Sequence, residues 1–378
     1  MRIAYLCVDP GVPVFGRKGS SVHVQEMLRA MRRLGHEPAL YCARVGGEPP
    51  ADLADVPVVE RRIHGAAGAE RERDTADAAA ELALAAIADG CDLVYERYAL
   101  FSEAAAVVAR TADVPSVLEV NAPLVEEQAR HRVLDDRAGA ERATRASLQA
   151  ASTAVCVSGP VEDWAREQGA PRTIVLPNGV DVDRFAPAAH APTDRPTIAF
   201  VGTLKPWHGV DRLLEAAAGL PLRLLVVGDG PEGAALRERA ERLDLEVEFT
   251  GAVEPSAIPE LLARADVAAA PYPGGEEDYF SPLKVFEYLA AGLPVVASAT
   301  GQLPILLRDG VTGVLVPPGD VEALRAALAE LIDDPAARRR MGAAARAEAV
   351  REHDWRRVAQ AALDAATGAS AHPLEVAS

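Results

Sequence analysis

Cysteine is scarce in this sequence and forms no recognisable pair: Cys7, Cys42, Cys91 and Cys156 lie far apart, with no Cys-x-x-Cys and no histidine at metal-ligand spacing. A disulfide framework and a cysteine-based zinc site are therefore excluded as organising devices. Three of the four sit in apolar runs, where they read as small buried hydrophobes. Long hydrophobic runs are missing too. The first run, residues 3–8, follows a single positive charge and is too short for a signal-peptide core or a bilayer span, so a cytoplasmic protein is expected. Positive charge is also in deficit: 39 Lys and Arg face 56 Asp and Glu, for a formal net charge of -17. Residues 1–190 hold 21 basic and 28 acidic side chains, so both halves are acidic. A field of that sign opposes nucleic acid and anionic membranes, and neither is expected as a stable partner. Arg29, Arg32 and Arg33 form one basic cluster, better explained by the C-terminus of a helix than by a lipid surface.

What is present is an ordinary globular composition, 49% hydrophobic and 25% charged over 378 residues, which is too long for one core and suits two domains. Apolar strands alternate with amphipathic helices. Strands are predicted at residues 3–8, 38–43, 93–95, 116–120, 154–157 and 173–176, and helices at 21–34, 76–88, 102–111, 125–151 and 161–168. A Pro-rich stretch, 186–196, breaks the rhythm and reads as a linker. The rhythm then resumes with strands at 198–201, 223–227, 247–250, 267–270 and 295–297, and helices at 210–218, 233–243, 258–263 and 282–291. This α/β pattern implies two Rossmann-like, doubly wound domains, residues 1–186 and 187–352, facing an interdomain cleft.

Glycine loops follow three of the strands. Gly11, Gly16 and Gly19 precede Ser20 and Ser21 at the start of the first helix, where free amides favour an anion; a flexible loop with a serine cap fits equally well. Residues 202–209, Gly-Thr-Leu-Lys-Pro-Trp-His-Gly, place Lys205 and His208 as possible cations for a diphosphate. Gly228 opens a third such turn. The segment 278–287 carries the strongest signal: a polar turn, a helix start near Ser281 with Pro282 at the first helical position, and Lys284 and Glu287 on one helix face. A cation with amides suits a diphosphate, and a carboxylate suits ribose hydroxyls. A surface Lys/Glu pair is the competing explanation.

These residues resemble the retaining glycosyltransferase family four, of the two-domain GT-B fold. The resemblance rests on Gly19-Ser20-Ser21-Val22-His23-Val24 with Gly35-His36, on 176–185 (Leu-Pro-Asn-Gly-Val-Asp-Val-Asp-Arg-Phe), on 201–209, on 227–231, on 249–251, on Ala265-Asp266 and on 280–297. It implies that Glu287 binds the donor ribose, as the second carboxylate of a Glu-x7-Glu motif. Tyr279 occupies the first position, so Asp278 or the chain at Ser281, Pro282 and Leu283 is left to hold the donor sugar. The family's usual diphosphate-gripping Arg and Lys fall at Thr203 and His208, which makes Lys205 and Lys284 the expected replacements. Asn121 stands where many members have a histidine near the sugar. The base is expected at the backbone near Gly228 and Val253, and residues 353–378 are expected to cross back to the first domain.

The implied reaction is transfer of a hexose or aminohexose, with retention, from a nucleotide-diphosphate sugar (UDP first) to a hydroxylated small acceptor such as an aminocyclitol. Charge building on the leaving phosphate would be stabilised by Lys205, Lys284, His208 and the Gly19 amides. No Asp-x-Asp motif stands in a suitable loop, so no metal and no other cofactor is expected. A lipid-linked or polysaccharide acceptor is the alternative, followed by a nucleotide-sugar epimerase or pseudo-glycosyltransferase on the same fold.

Overall fold

The computed structural model describes residues 1–65, 67–187, 195–275 and 281–368. Thirteen strands are present among them. Seven, β1 (Arg2–Cys7), β2 (Glu37–Cys42), β3 (Val58–Glu60), β4 (Leu93–Arg97), β5 (Ser116–Val120), β6 (Thr153–Cys156) and β7 (Thr173–Val175), form a sheet of order β3-β2-β1-β4-β5-β6-β7. Six more, β8 (Thr197–Val201), β9 (Arg223–Val227), β10 (Val247–Gly251), β11 (Val267–Ala270), β12 (Val295–Ser298) and β13 (Gly313–Val316), form a second of order β10-β9-β8-β11-β12-β13. Every pairing in both sheets is parallel. Parallel sheets need helices on both faces, and for that reason their strands read as continuous apolar runs. The strand order reverses between β1 and β4 in one sheet and between β8 and β11 in the other, and ligands collect outside the carboxyl ends of strands at such points.

The described residues form two compact units, 1–178 with 281 and 355–368, and 179–275 with 282–354. The sequence suggested breaks at 186/187 and 352/353. The observed ones fall at 178/179 and 354/355 because residues 179–187 are bonded to the second unit. Val180 N donates to His353 O (2.7 Å), and Arg346 Nη1 donates to the carbonyls of Val182 (2.8 Å), Phe185 (2.7 Å) and Ala290 (2.9 Å). Of the expected linker, residues 188–194 lie outside the described residues. The helix Trp355–Thr367 belongs to the first unit, where Thr153 Oγ1 donates to Ala365 O (3.1 Å).

Other departures from the sequence pattern have local causes. The single helix expected over 125–151 is two, Leu124–His131 and Arg137–Ala150. Asp136 caps the second by accepting from Gly139 N (2.8 Å), and the amides of Asp135 and Asp136 are held by Glu72. Strands β3 and β13 were not foreseen, being three and four residues long. The cluster of Arg29, Arg32 and Arg33 is not an open patch: Arg29 pairs with Asp52 and Glu26, and Arg32 with Asp55. Among the described residues no helix is long and apolar enough to cross a membrane.

Arg346 shows how the second unit is closed, since one guanidinium nitrogen serves three carbonyls from two chain segments. Hydrogen bonds to a charged donor contribute more than neutral ones. Arg346→Met is expected to lower unfolding stability by roughly 1.5–3 kcal/mol, measured by urea denaturation.

Candidate functional site

In the second unit, the carboxyl end of β8 runs into Gly202, and a helix Leu283–Ala290 comes in beside it. Pro282 is the N-cap of that helix, one position earlier in role than the sequence suggested, and no side chain caps its first amides. Val201 N donates to Tyr288 OH (2.7 Å), which ties strand and helix together. Lys284 extends from the first turn so that its stem is partly exposed but its Nζ is buried, with no hydrogen-bond partner among the described residues. The ammonium lies 4.2 Å from the Phe200 ring centroid and 5.3 Å from that of Tyr272. Aromatic faces attract a cation, though less strongly than a counter-ion.

Two glycines make room for this. A Cβ on Gly202 (φ +150°) would stand 2.7 Å from Lys284 Nζ, and one on Gly228 (φ +133°) would stand 2.1 Å from Gly202 O. Any larger residue at 202 displaces the ammonium. Burial pushes the Lys284 pKa down from 10.5 to about 7, against a smaller upward pull from Glu287 one helical turn on.

The neighbouring candidates behave differently. His208 was expected as a cation, but burial, followed by the charge of Lys284, pushes it down to about 4, so the ring is neutral near pH 7. Its Nδ1 contacts the Thr203 carbonyl, and its ring packs against Phe200 and Tyr272. His208 therefore serves as a wall of the Lys284 pocket rather than as its second charge. Lys205 Nζ sits over the exposed Trp207 ring at 4.5 Å. Thr203 is exposed, and Val253 follows β10, whose Gly251 O accepts from Gly228 N (3.1 Å). Asp278 and Tyr279 lie outside the described residues.

The first unit places Gly19 and Ser20 at the start of the helix Gly19–Arg33, and no side chain caps it. The serine cap offered by the sequence as an explanation is absent, and Ser21 Oγ is buried without a partner. One turn in, His23 Nδ1 meets Asn178 Oδ1 at 2.7 Å while its Nε2 lies 2.8 Å from Glu119 Oε2, within ion-pair range but off the line of a hydrogen bond. Asn178 Nδ2 donates to Ser281 O (2.7 Å), which fixes the amide so that its oxygen faces the histidine. Glu119 also accepts from Tyr95 OH (2.6 Å), Arg97 Nη1 (2.8 Å) and Asn121 Nδ2. Burial would raise the Glu119 carboxyl, but His23, Arg97 and the Tyr95 hydroxyl together hold it well below the usual carboxylate range. Asn121 is thus oriented through its Nδ2, which leaves Oδ1 as the atom able to accept from a hydroxyl.

The network of His23, Arg97 and Glu119 was missed from sequence, where only His23 figured, within the Gly19–Val24 motif. Charged residues inside β4 (Leu-Val-Tyr-Glu-Arg) and β5 (Ser-Val-Leu-Glu-Val) were the available signal, since a charge in a doubly covered strand requires partners. Lysine usage was another. The chain has three lysines, Lys18, Lys205 and Lys284, each in or beside a turn already singled out, and arginine elsewhere. Among the described residues, no group of three or more His, Cys, Asp or Glu could hold a metal ion.

The family described as Glycosyltransferase Family 4 matches residues 17–184, and that described as Glycosyl transferases group 1 matches residues 181–348. The chain is similar to a phosphatidyl-myo-inositol mannosyltransferase of Mycobacterium leprae, 37% identical over 214 residues, 54% of this chain and 56% of that one. It is also similar to a D-inositol 3-phosphate glycosyltransferase of Saccharomonospora viridis, 36% identical over 210 residues, 49% and 48% of the two. The matched region thus spans about half the length of these curated relatives. Three further relatives carry GDP-mannose in their names. Sucrose-phosphate synthase from Thermosynechococcus elongatus has the same GT-B fold, with TM-score 0.71 at 23% identity over 95% of this chain and 96% of that one.

The buried ammonium has a measurable signature. The folded pKa of Lys284 lies below its unfolded value, so between pH 7 and 10.5 the unfolded chain holds the extra proton, and stability rises with pH through that window. Lys284→Met removes the buried charge. The variant is expected to melt above the parent at pH 6.5 and to lose most of that margin by about pH 10, read by thermal melts without ligand.

Proposed function

The chain belongs to glycosyltransferase family 4, and from that premise we propose that it moves a mannosyl group from GDP-mannose to a hydroxyl of a cyclitol, with retention and without a metal ion. The observation that carries the donor side is the Lys284 ammonium, buried at an uncapped helix start beside Gly202 with no partner among the described residues. A diphosphate would supply the missing charge, and Glu287, one turn on along the same helix, is the carboxylate we assign to the ribose hydroxyls. UDP, expected from the sequence, gives way to GDP-mannose as first choice because that donor stands in the names of three relatives. The inositol ring in the names of the two relatives described above supports a cyclitol acceptor.

In the reaction, the acceptor oxygen forms a bond to the anomeric carbon on the face from which the diphosphate departs. The bond from that carbon to the phosphate oxygen breaks, GDP leaves with the electron pair, and the acceptor proton passes to the departing phosphate. Negative charge grows on the phosphate oxygens as this proceeds. A cation held in a dry, preformed pocket stabilises that charge without reorganising, and Lys284 fills this role. Lys205, on the neighbouring turn, is the second cation available. Asn121, oriented by Glu119, is the group in the first unit that receives a sugar or acceptor hydroxyl.

Anion binding restores the Lys284 proton, so donor affinity should depend on pH with a definite sign. GDP-mannose affinity, measured by calorimetry, is expected to fall as pH rises from 6.5 to 8.5, with proton uptake on binding near pH 7.5. A pH-independent affinity would contradict the assignment of Lys284 to the diphosphate. Glu287→Ala is expected to weaken GDP-mannose binding by roughly 1–3 kcal/mol. Release of GDP is expected to persist in excess chelator, and its loss there would overturn the metal-independent reading.

A further inference from the structure

The first unit contains a groove of about 540 Å³ that the donor chemistry does not use. Its size is that of a small-molecule site. The wall is made where β1, β2 and β3 end: Pro10 follows β1, Arg44 follows β2, Glu60 and Arg62 close β3, and Arg71 faces in from the helix Gly68–Asp89. This is the carboxyl edge, where doubly wound sheets take ligands.

Its charge runs against that of the protein. Glu60 is committed within the wall, its Oε1 accepting from Val45 N (2.8 Å) and its Oε2 from Arg62 Nε (2.8 Å). Arg44 and Arg71 have no carboxylate partner among the described residues. Nearby arginines contrast with them: Arg61 is held by Asp74 and Glu81, Arg29 by Asp52, and Arg32 by Asp55. Three arginines therefore line one concavity with a single, already paired carboxylate, in a chain of net charge -17.

The wall is also held in place. Val14 N donates to Arg44 O (3.0 Å) and Phe15 N to Val45 O (2.8 Å), which zips the Arg44 turn to the loop after β1. Gly46 (φ +82°) packs so tightly on Pro13 that a Cβ there would stand 2.2 Å from it. On the other side, Asp74 accepts from the amides of His64 and Gly65, which fixes the strand exit against the helix that carries Arg71. Guanidinium groups on a rigid wall match the oxygens of a phosphate in forked pairs.

We propose that this groove binds the acceptor through a phosphate group, engaged by Arg44 and Arg71 with Arg62 beside them, so that the acceptor is an anionic, phosphorylated polyol. The proposal rests on the transfer reading above and narrows it, with an anionic acceptor in place of the aminocyclitol expected from the sequence. A phosphomonoester and the phosphodiester headgroup of a lipid share this chemistry.

Calorimetry with myo-inositol, myo-inositol 1-phosphate and glycerophosphoinositol, and sedimentation with phosphatidylinositol vesicles, test it on the parent chain and on Arg44→Gln, Arg71→Gln and the double variant. At least one phosphorylated probe is expected to bind tenfold or more tightly than myo-inositol. The double variant is expected to lose that factor while keeping its melting temperature and its affinity for GDP-mannose. Preference for the monoester identifies a free phosphate, and preference for the diester or vesicle identifies a headgroup. Equal binding of myo-inositol and the phosphorylated probes, or unchanged phosphate affinity in the double variant, would overturn the groove. Phosphate binding without GDP release from GDP-mannose on any acceptor would instead refute the transfer reading and leave the groove standing.

Discussion

The buried Lys284 amine, with no hydrogen-bond partner among the described residues, is the constraint on which the candidate site of the second unit depends. Lys284 Nζ sits between Phe200 and Tyr272, with Gly202 beneath it and Gly228 beneath Gly202. Desolvating an ammonium costs several kcal/mol that aromatic faces return only in part. The fold accepts this cost where it can be recovered on binding. His208 beside that amine is held neutral by burial first and by the Lys284 charge second, and Tyr288 OH ties the helix to the end of β8.

The first unit handles charge in the opposite way. Glu119 accepts from Tyr95, Arg97 and Asn121, with His23 Nε2 at ion-pair distance, and a dense buried network stiffens the residues it holds. Its effect is to orient Asn121 rather than to await a ligand. The groove at Arg44, Arg62 and Arg71 is a third case, cations that are accessible and underpaired. Screening limits exposed charges to about 10 Å at 0.1 M salt, so a distant acidic surface does not decide what a local concavity attracts.

Periodicity was enough to read the alternation of strands and helices, because strands covered on both faces must be apolar throughout and helices covered on one must be amphipathic. The same rule explains the omissions. Strands β3 and β13 are too short to show a pattern, and the helix expected over 125–151 hides a break that only Asp136 and its bond to Gly139 N reveal. The unit boundaries moved for a similar reason: proline content marks where a chain bends, whereas Arg346 decides which unit the bend is bonded to.

The sequence by itself determined the family, the α/β class, and the shared helix face of Lys284 and Glu287, since these depend on residue types at fixed spacing. Tertiary structure alone decided how those residues are charged and what they face. Whether His208 is a cation, whether Arg29 and Arg32 are free, and whether Arg44 and Arg71 share one groove depend on neighbours brought together from distant segments. Spacing is a property of the chain, but desolvation and pairing are properties of the packed molecule, and for Lys284 they turn a common helical Lys/Glu pair into a buried charge in need of an anion.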